Sequence, residues 1–248
     1  ISGRVEGTRA FLLGLRQPED HNAPAGKQLR QRLVLVHRSE SAPMVLMTTG
    51  YGLFGDPEQF AEYLVEPTVL LEANQLTAEH RYFGTSIATD ADWSFLTVAQ
   101  SAADSHRIVE LLGTIYTGPW VGTGASKGGM TAIFHHHYYP RDLAAIVPYV
   151  APISFGVEDQ RYLGWLDQIG PADGVCRERV KDMAVEMIER RREAAQYFLD
   201  TDPRAAPIDR PVLEALVTYP TYAFHWAYWQ YYGSTEVCAL VPARGESI

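Results

Sequence analysis

The residues best placed to do chemistry lie in "VGTGASKGGM", positions 121 to 130. Ser126 stands there between Gly124 and Gly128 in a G-x-S-x-G pattern, and Gly129 follows. A serine hydroxyl becomes a useful nucleophile only when a base takes its proton and a sharp turn exposes its oxygen. Small residues two places before and after such a serine let a strand and a helix approach each other at that turn. Two phosphate-binding templates compete for the same glycines, and both fail. A P-loop needs glycine before its lysine and a hydroxyl after it, whereas Lys127 has Ser126 before it and Gly128 after it. A dinucleotide fingerprint needs G-x-G-x-x-G, and Lys127 occupies the place of its last glycine. A nucleophile elbow at Ser126 is the preferred reading over an ordinary glycine turn.

An elbow prescribes its surroundings. The backbone N–H of Lys127 supplies one oxyanion-hole donor, and a second comes from a loop after an early strand. "TTGYGLFG" (48 to 55) has that place, with Tyr51 or Gly52 as the donor and an ordinary glycine turn as the alternative. In this architecture the acid and then the base follow the serine along the chain. The histidines after Ser126 are His135, His136, His137 and His225. The first three sit nine or more residues along the helix leaving the elbow, roughly 13 Å away, too far to take the serine proton. Three consecutive histidines also point to different sides of a helix, so they suit solvent or helix packing better than a metal. His225 lies among aromatic residues and reads as a packed histidine before it reads as a base. Nothing calls for a metal or an organic cofactor.

The elements that must hold these residues alternate. "LRQRLVLVHR" (29 to 38), "APMVLMTTG" (42 to 50), "PTVLLEANQ" (67 to 75), "PWVGTGA" and "LAAIVPYVAP" predict strands, with "SES" as a hairpin turn between the first two. Apolar spacing predicts a helix from Ser94 to Leu112, with Ser94 or Asp92 as N-cap. "KGGMTAIFHHHYY" predicts a second helix, stopped by Pro140. Cys176 to Asp200 predicts a charged amphipathic helix with a solvated face, "DPRAAPIDRP" a loop, and "TYPTYAFHWAYWQYYG" an aromatic segment. The expected organisation is an α/β core over 1–155 and a mainly helical insertion or lid over 156–240.

Composition agrees with a packed chain. In 248 residues, 46% hydrophobic, 21% charged and 11% aromatic content is that of an ordered globular protein. A net charge of −9 argues against nucleic acid or an anionic membrane surface as partner. No apolar run approaches the ~18 residues of a spanning helix. The opening "ISGRVEG" is polar and shows no signal peptide, as a mature exported chain also would not. Cys176 and Cys238 fit a disulfide closing the segment between them, or two buried thiols.

Several stretches together resemble a known family. "EHRYFGTS" (79 to 86), "GASKGGMTA" (124 to 132), "PYVAP" (148 to 152) and "AYWQYYG" (227 to 233), with "PEDH" and "QRLVLVHR", are similar to the secreted tripeptidyl aminopeptidases of actinomycete bacteria. The likeness runs from about Gln17 to Pro242 and extends more distantly to lysosomal prolyl carboxypeptidase and dipeptidyl peptidase II. It implies the α/β-hydrolase sheet with a helical lid, export, and cleavage near a free peptide N-terminus with Ser126 as nucleophile. It also offers Glu79 or Glu72 to a substrate ammonium group, against a structural role such as pairing with Arg81. The family carries its acid and base beyond the lid. The chain is therefore expected to be the N-terminal portion of a longer enzyme, with the triad Asp and His in a second chain or a further segment. The other readings are an esterase or lipase on the same fold and a non-catalytic binding module.

Overall fold

The computed structural model describes residues 6–53, 62–156, 159–172, 174–233 and 235–246. Phe54 and Gly55, which end the "TTGYGLFG" segment, lie outside the described residues. The chain divides into two compact units, Ile1–Ile153 and Ser154–Ile248.

The first unit is built on strands β1 (Arg9–Pro18), β2 (Gln28–His37), β3 (Met44–Thr48), β4 (Asn74–Ala78), β5 (Trp120–Ala125) and β6 (Ala145–Tyr149). They form one sheet in the order β1-β2-β4-β3-β5-β6. β1 with β2 and β2 with β4 run antiparallel, and β4, β3, β5 and β6 are mutually parallel. This is an α/β fold, the α/β-hydrolase sheet that the elbow requires. Alternation along β3 sends Met44 and Leu46 to one face and Val45 to the other. On the first face Leu33, Leu35, Leu76, Ile108 and Trp120 complete the main apolar cluster. Full burial of each such side chain contributes about 1.5–3 kcal/mol.

Three sequence expectations change here. β2 and β3 are not a hairpin, because β4 lies between them. The "SES" connection crosses the start of β4, where the Asn74 side chain accepts the Arg38 and Ser39 amides and donates to the Ser39 carbonyl. "PTVLLEANQ" is not one strand: a short helix, α1 (Glu66–Leu70), opens on Pro67, and β4 begins only at Asn74. Proline at a first helical turn loses no hydrogen bond, so Pro67 marks a helix start. The third helix-scale expectation shifts by a turn. α2 (Val98–Leu112) is capped by the Thr97 hydroxyl, while Asp92 caps the short 3-10 turn Trp93–Phe95 through the Ser94 amide. α3 (Lys127–Tyr138) leaves β5 directly after Ser126.

β6 ends the described sheet; Val147 and Tyr149, on one face, are each 36% exposed, while Ile146 on the other packs against the main apolar cluster. Pro148 is tolerated on such an edge because no neighbouring strand needs its missing N–H.

The second unit is helical: α4 (Gln160–Leu166), α5 (Val175–Glu189), α6 (Arg191–Thr201), α7 (Arg210–Ala227), a π-helical turn Tyr228–Tyr232 and α8 (Thr235–Cys238). The helix expected over Cys176–Asp200 breaks at Arg190, whose guanidinium pairs with Glu186 and Glu193. Cys176 and Cys238 are joined in a disulfide. Around it Leu166, Val180, Tyr228, Trp229 and Val241 form a separate apolar cluster. No helix among the described residues is long and apolar enough to cross a membrane.

Candidate active site

Ser126 lies between the last residue of β5 and the first of α3 with φ 54° and ψ −126°. A non-glycine residue in that conformation is strained, and it persists only where the surroundings fix it. They do so here by close approach. A Cβ on Gly124 would lie 2.6 Å from the Thr48 carbonyl oxygen, and one on Gly128 would lie 2.2 Å from the same atom. Neither position accepts any side chain without moving β3 from α3. The Thr48 hydroxyl donates to the Gly128 carbonyl at 2.7 Å, and the Ser126 amide donates to the Tyr149 carbonyl at 3.0 Å. The turn is thus tied to strands on both sides of β5.

The first-turn amides of α3, Lys127 among them, have no intrahelical acceptor and lie at the positive end of the helix. The loop after β3 packs against this point. Gly50 has φ +73°, and a Cβ there would lie 2.4 Å from the Gly128 nitrogen. Tyr51 is 44% exposed and Gly52 is buried. The Tyr51 carbonyl accepts from the His80 amide at 3.0 Å and from the Thr49 hydroxyl at 2.5 Å. The Lys127 ammonium donates to the Gly50 carbonyl at 2.6 Å and lies 5.4 Å from the Tyr51 ring centre and 5.1 Å from that of Phe83. Burial pushes the lysine down to about 8. Burial, together with the Lys127 charge, pushes His80 down to about 4 and keeps it neutral. Beside these two residues is a cavity of about 140 Å³ walled by Phe83, Leu96, Val98 and Phe134.

The two carboxylates offered to a substrate ammonium group are placed differently. Glu79, at the end of β4, is fully buried. It accepts from the Arg32 guanidinium at 2.6 Å, the Ser86 hydroxyl at 2.6 Å and the Leu53 amide at 2.8 Å. Burial alone would raise its pKa, but those hydrogen bonds outweigh it and hold the carboxylate below its ordinary value. Its partner is Arg32 and not Arg81, which turns to Asp104 instead with two bonds of 2.7 and 2.8 Å. Glu72 is exposed in the turn before β4. Because β4 and β5 are both parallel to β3, Glu72 sits at the opposite end of the strands from Ser126, roughly 20 Å away at strand rise. It is not on the strand end that faces the elbow.

Five of the seven histidines in this unit have hydrogen-bond partners away from Ser126, while the buried Nδ1 of His136 has none and His137 packs edge-on against Tyr138. His135 is buried and shares one oxygen of Asp142 with His106, each at 2.8 Å. His21 bonds Asp104 and His37 bonds Tyr116. His80 bonds the Arg81 carbonyl and Ser101. Among the described residues no histidine bonds the Ser126 hydroxyl. His225 belongs to α7 in the helical unit, where burial lowers its pKa. No group of histidine, cysteine and acidic residues among those described is arranged to hold a metal ion.

The model of the PS-10 peptidase S37 family matches residues 3–247. The chain belongs to that family. A prolyl tri/tetrapeptidyl aminopeptidase of Streptomyces mobaraensis is 33% identical over 245 residues, 98% of this S37 chain and 50% of the relative. The S37 chain thus spans about half the length of that curated relative. Solved structures give fainter likenesses. A prolyl endopeptidase matches with TM-score 0.39 and 16% identity over 56% of this chain and 21% of its own. A peroxisomal α/β-hydrolase of Saccharomyces cerevisiae matches with TM-score 0.40 and 16% identity over 72% and 57%.

Sequence reading missed two features of this S37 site. Asp104 was hidden in the middle of α2, where it reads as a helix-face residue; only the fold brings it to Arg81 and His21. "PEDH" and "EHRYFG" are both parts of that network, since Arg81 also donates to the Pro18 and Glu19 carbonyls and Tyr82 to Glu19. The other is the side chain of Lys127, whose direction no local pattern encodes.

Proposed function

We infer that this chain carries the nucleophile of an exported serine exopeptidase that releases short peptides, tripeptides foremost, from free N-termini. The observation that carries the reading is Ser126 held at positive φ in a strand–turn–helix cradle. Its Oγ attacks the scissile carbonyl carbon and loses its proton to a histidine base. The carbonyl oxygen becomes an oxyanion, met by the Lys127 amide and an amide of the Tyr51–Gly52 loop. Collapse expels the amine, which takes the proton from the histidine, and water then releases the peptide from Ser126.

The base and its acid partner come, on this reading, from residues beyond these 248, in a continuing segment or a second chain. Three observations support that: no histidine among the described residues bonds the Ser126 hydroxyl, β6 ends the described sheet with one face exposed, and the match to the relative spans half of its length. The tripeptide preference rests on family membership and on the name of that relative. Export is supported by the disulfide, a bond that persists in oxidising compartments.

The test is hydrolysis by the intact natural protein. Tripeptide amides with a free N-terminus are expected to be cleaved, their N-acetylated forms spared, and Ser126→Ala to abolish turnover. Preferential cleavage of short acyl esters favours an esterase instead, and no turnover of either class favours a binding module.

A further inference from the structure

We propose that the side chain of Lys127 is a positioning residue that orients the second oxyanion donor, and that this donor is the amide of Tyr51. The inference rests on the reading of Ser126 as nucleophile. The Lys127 ammonium reaches out of the elbow to the carbonyl of Gly50 at 2.6 Å. That carbonyl belongs to the same peptide unit as the Tyr51 N–H. A trans peptide is planar, with its C=O and N–H on opposite sides. Fixing one therefore fixes the other, and the bond from Lys127 determines which way the Tyr51 N–H points. One residue then governs both donors, the first through its own backbone N–H and the second through its side chain.

The placement makes poor sense as stabilisation alone. A cation at the N-terminal end of a helix meets the positive end of the helix dipole. This one is also partly desolvated, and among the described residues no carboxylate pairs with it. Its compensation is the Gly50 carbonyl and the faces of Tyr51 and Phe83, two rings set edge to face at 5.4 Å. A neutral donor would bond the same carbonyl without the charge penalty. What the charge adds is a stronger hydrogen bond and a positive field beside the developing oxyanion.

Deprotonation of Lys127 weakens both contributions, so turnover is expected to fall as pH rises through about 8. The groups facing it are His80, from the end of β4, and the phenol of Tyr51, from the loop after β3. Behind His80 lie Arg81 and Asp104, already paired with each other. His80 is neutral throughout this range, since it titrates near 4.

The experiment compares wild type, Lys127→Met and Lys127→Arg in the intact natural protein, by steady-state kinetics on a tripeptide amide from pH 6 to 10, thermal melting and fluorophosphonate labelling. Lys127→Met is expected to lower kcat about 10- to 100-fold with KM within about twofold, to lose the alkaline limb near pH 8, and to melt no lower than wild type. Lys127→Arg keeps the cation and is expected to recover part of kcat with no alkaline limb in this range, because arginine does not deprotonate there. A Lys127→Met variant with wild-type kcat and an unchanged alkaline limb overturns the inference. So does Lys127→Arg retaining the limb in the rate of fluorophosphonate labelling, a probe without the substrate amine that itself titrates at about 8, whether or not the methionine variant folds. Failure of the underlying reading looks different: wild type itself takes no fluorophosphonate at Ser126.

Discussion

The two units of this chain are fixed by different means. In the sheet unit, buried polar groups hold one another: Arg81 and Asp104 are both out of solvent, and Glu79 is enclosed by Arg32, Ser86 and the Leu53 amide. In the helical unit several ion pairs lie at the surface, as with Arg244 and Glu189, and a disulfide closes the chain around a small apolar cluster. Its aromatic residues are often open, with Tyr219 80% and Tyr231 70% exposed. A residue held at positive φ, as Ser126 is, needs neighbours that cannot relax, and mutually dependent buried hydrogen bonds supply them. A helical unit held by a cross-link can change its surface residues without that constraint.

The sharpest way to break the contrast is to remove one member of a buried pair. Arg81→Leu leaves the Asp104 carboxylate buried without its guanidinium and is expected to cost about 3–5 kcal/mol in urea unfolding. Replacing both by apolar residues of similar volume is expected to recover much of that loss; equal losses for the single and double variants would mean the pair is not the anchor.

Next in size is the cross-link of the other unit. Cys176→Ser with Cys238→Ser frees a loop with a sequence separation of 62, and the expected loss is about 2–4 kcal/mol. Hydrogen exchange is expected to speed up in α5 and α8 while β3 to β5 stay protected. Deprotection of the strands to the same extent would show that the units share one fixing mechanism.

Acid also tests the buried groups of the sheet unit. His80 titrates near 4 in the fold against an ordinary 6.5, so its neutral, buried form contributes stability that is complete above 6.5 and declines as pH falls toward 4. Glu79 is held below its ordinary 4.5, so its contribution is present above 4.5 and is lost as pH falls through the lowered value. The sheet unit is therefore expected to weaken from pH 6.5 downward, in exchange protection of β4, and His80→Gln to flatten the part between 6.5 and 4.

These sites also show what the sequence carried. The elbow was readable because sterics restrict it to glycine at two places around one serine, and β5, Ser126 and α3 followed from that restriction. β1 was missed: "RAFLLGLRQP" pairs along its length with β2 but has arginine, glycine and glutamine at places where a buried strand is apolar. The supposed hairpin failed because β4 inserts between two strands adjacent in sequence, a non-local pairing that turn residues do not report. The roles of Asp104 and Lys127 depend on which distant atoms the fold brings to them. Their residue types alone are those of an ordinary helix face and an ordinary surface lysine.

The smallest effect belongs to the surface of the helical unit. Arg204 is 91% exposed beside Asp202, and exposed pairs of this kind gain little over water. Arg204→Ala is expected to leave the melting temperature unchanged within error, whereas a marked drop would mean that surface charge helps to fix this unit.

The central claim is that the strained turn makes Ser126 a nucleophile. The most direct measurement is fluorophosphonate treatment of the intact natural protein, followed by peptide mapping and residual activity. A single adduct on Ser126, formed in step with loss of tripeptide release, is the expected result. Full peptide release after complete labelling, or an adduct on a different serine with Ser126 untouched, would contradict it.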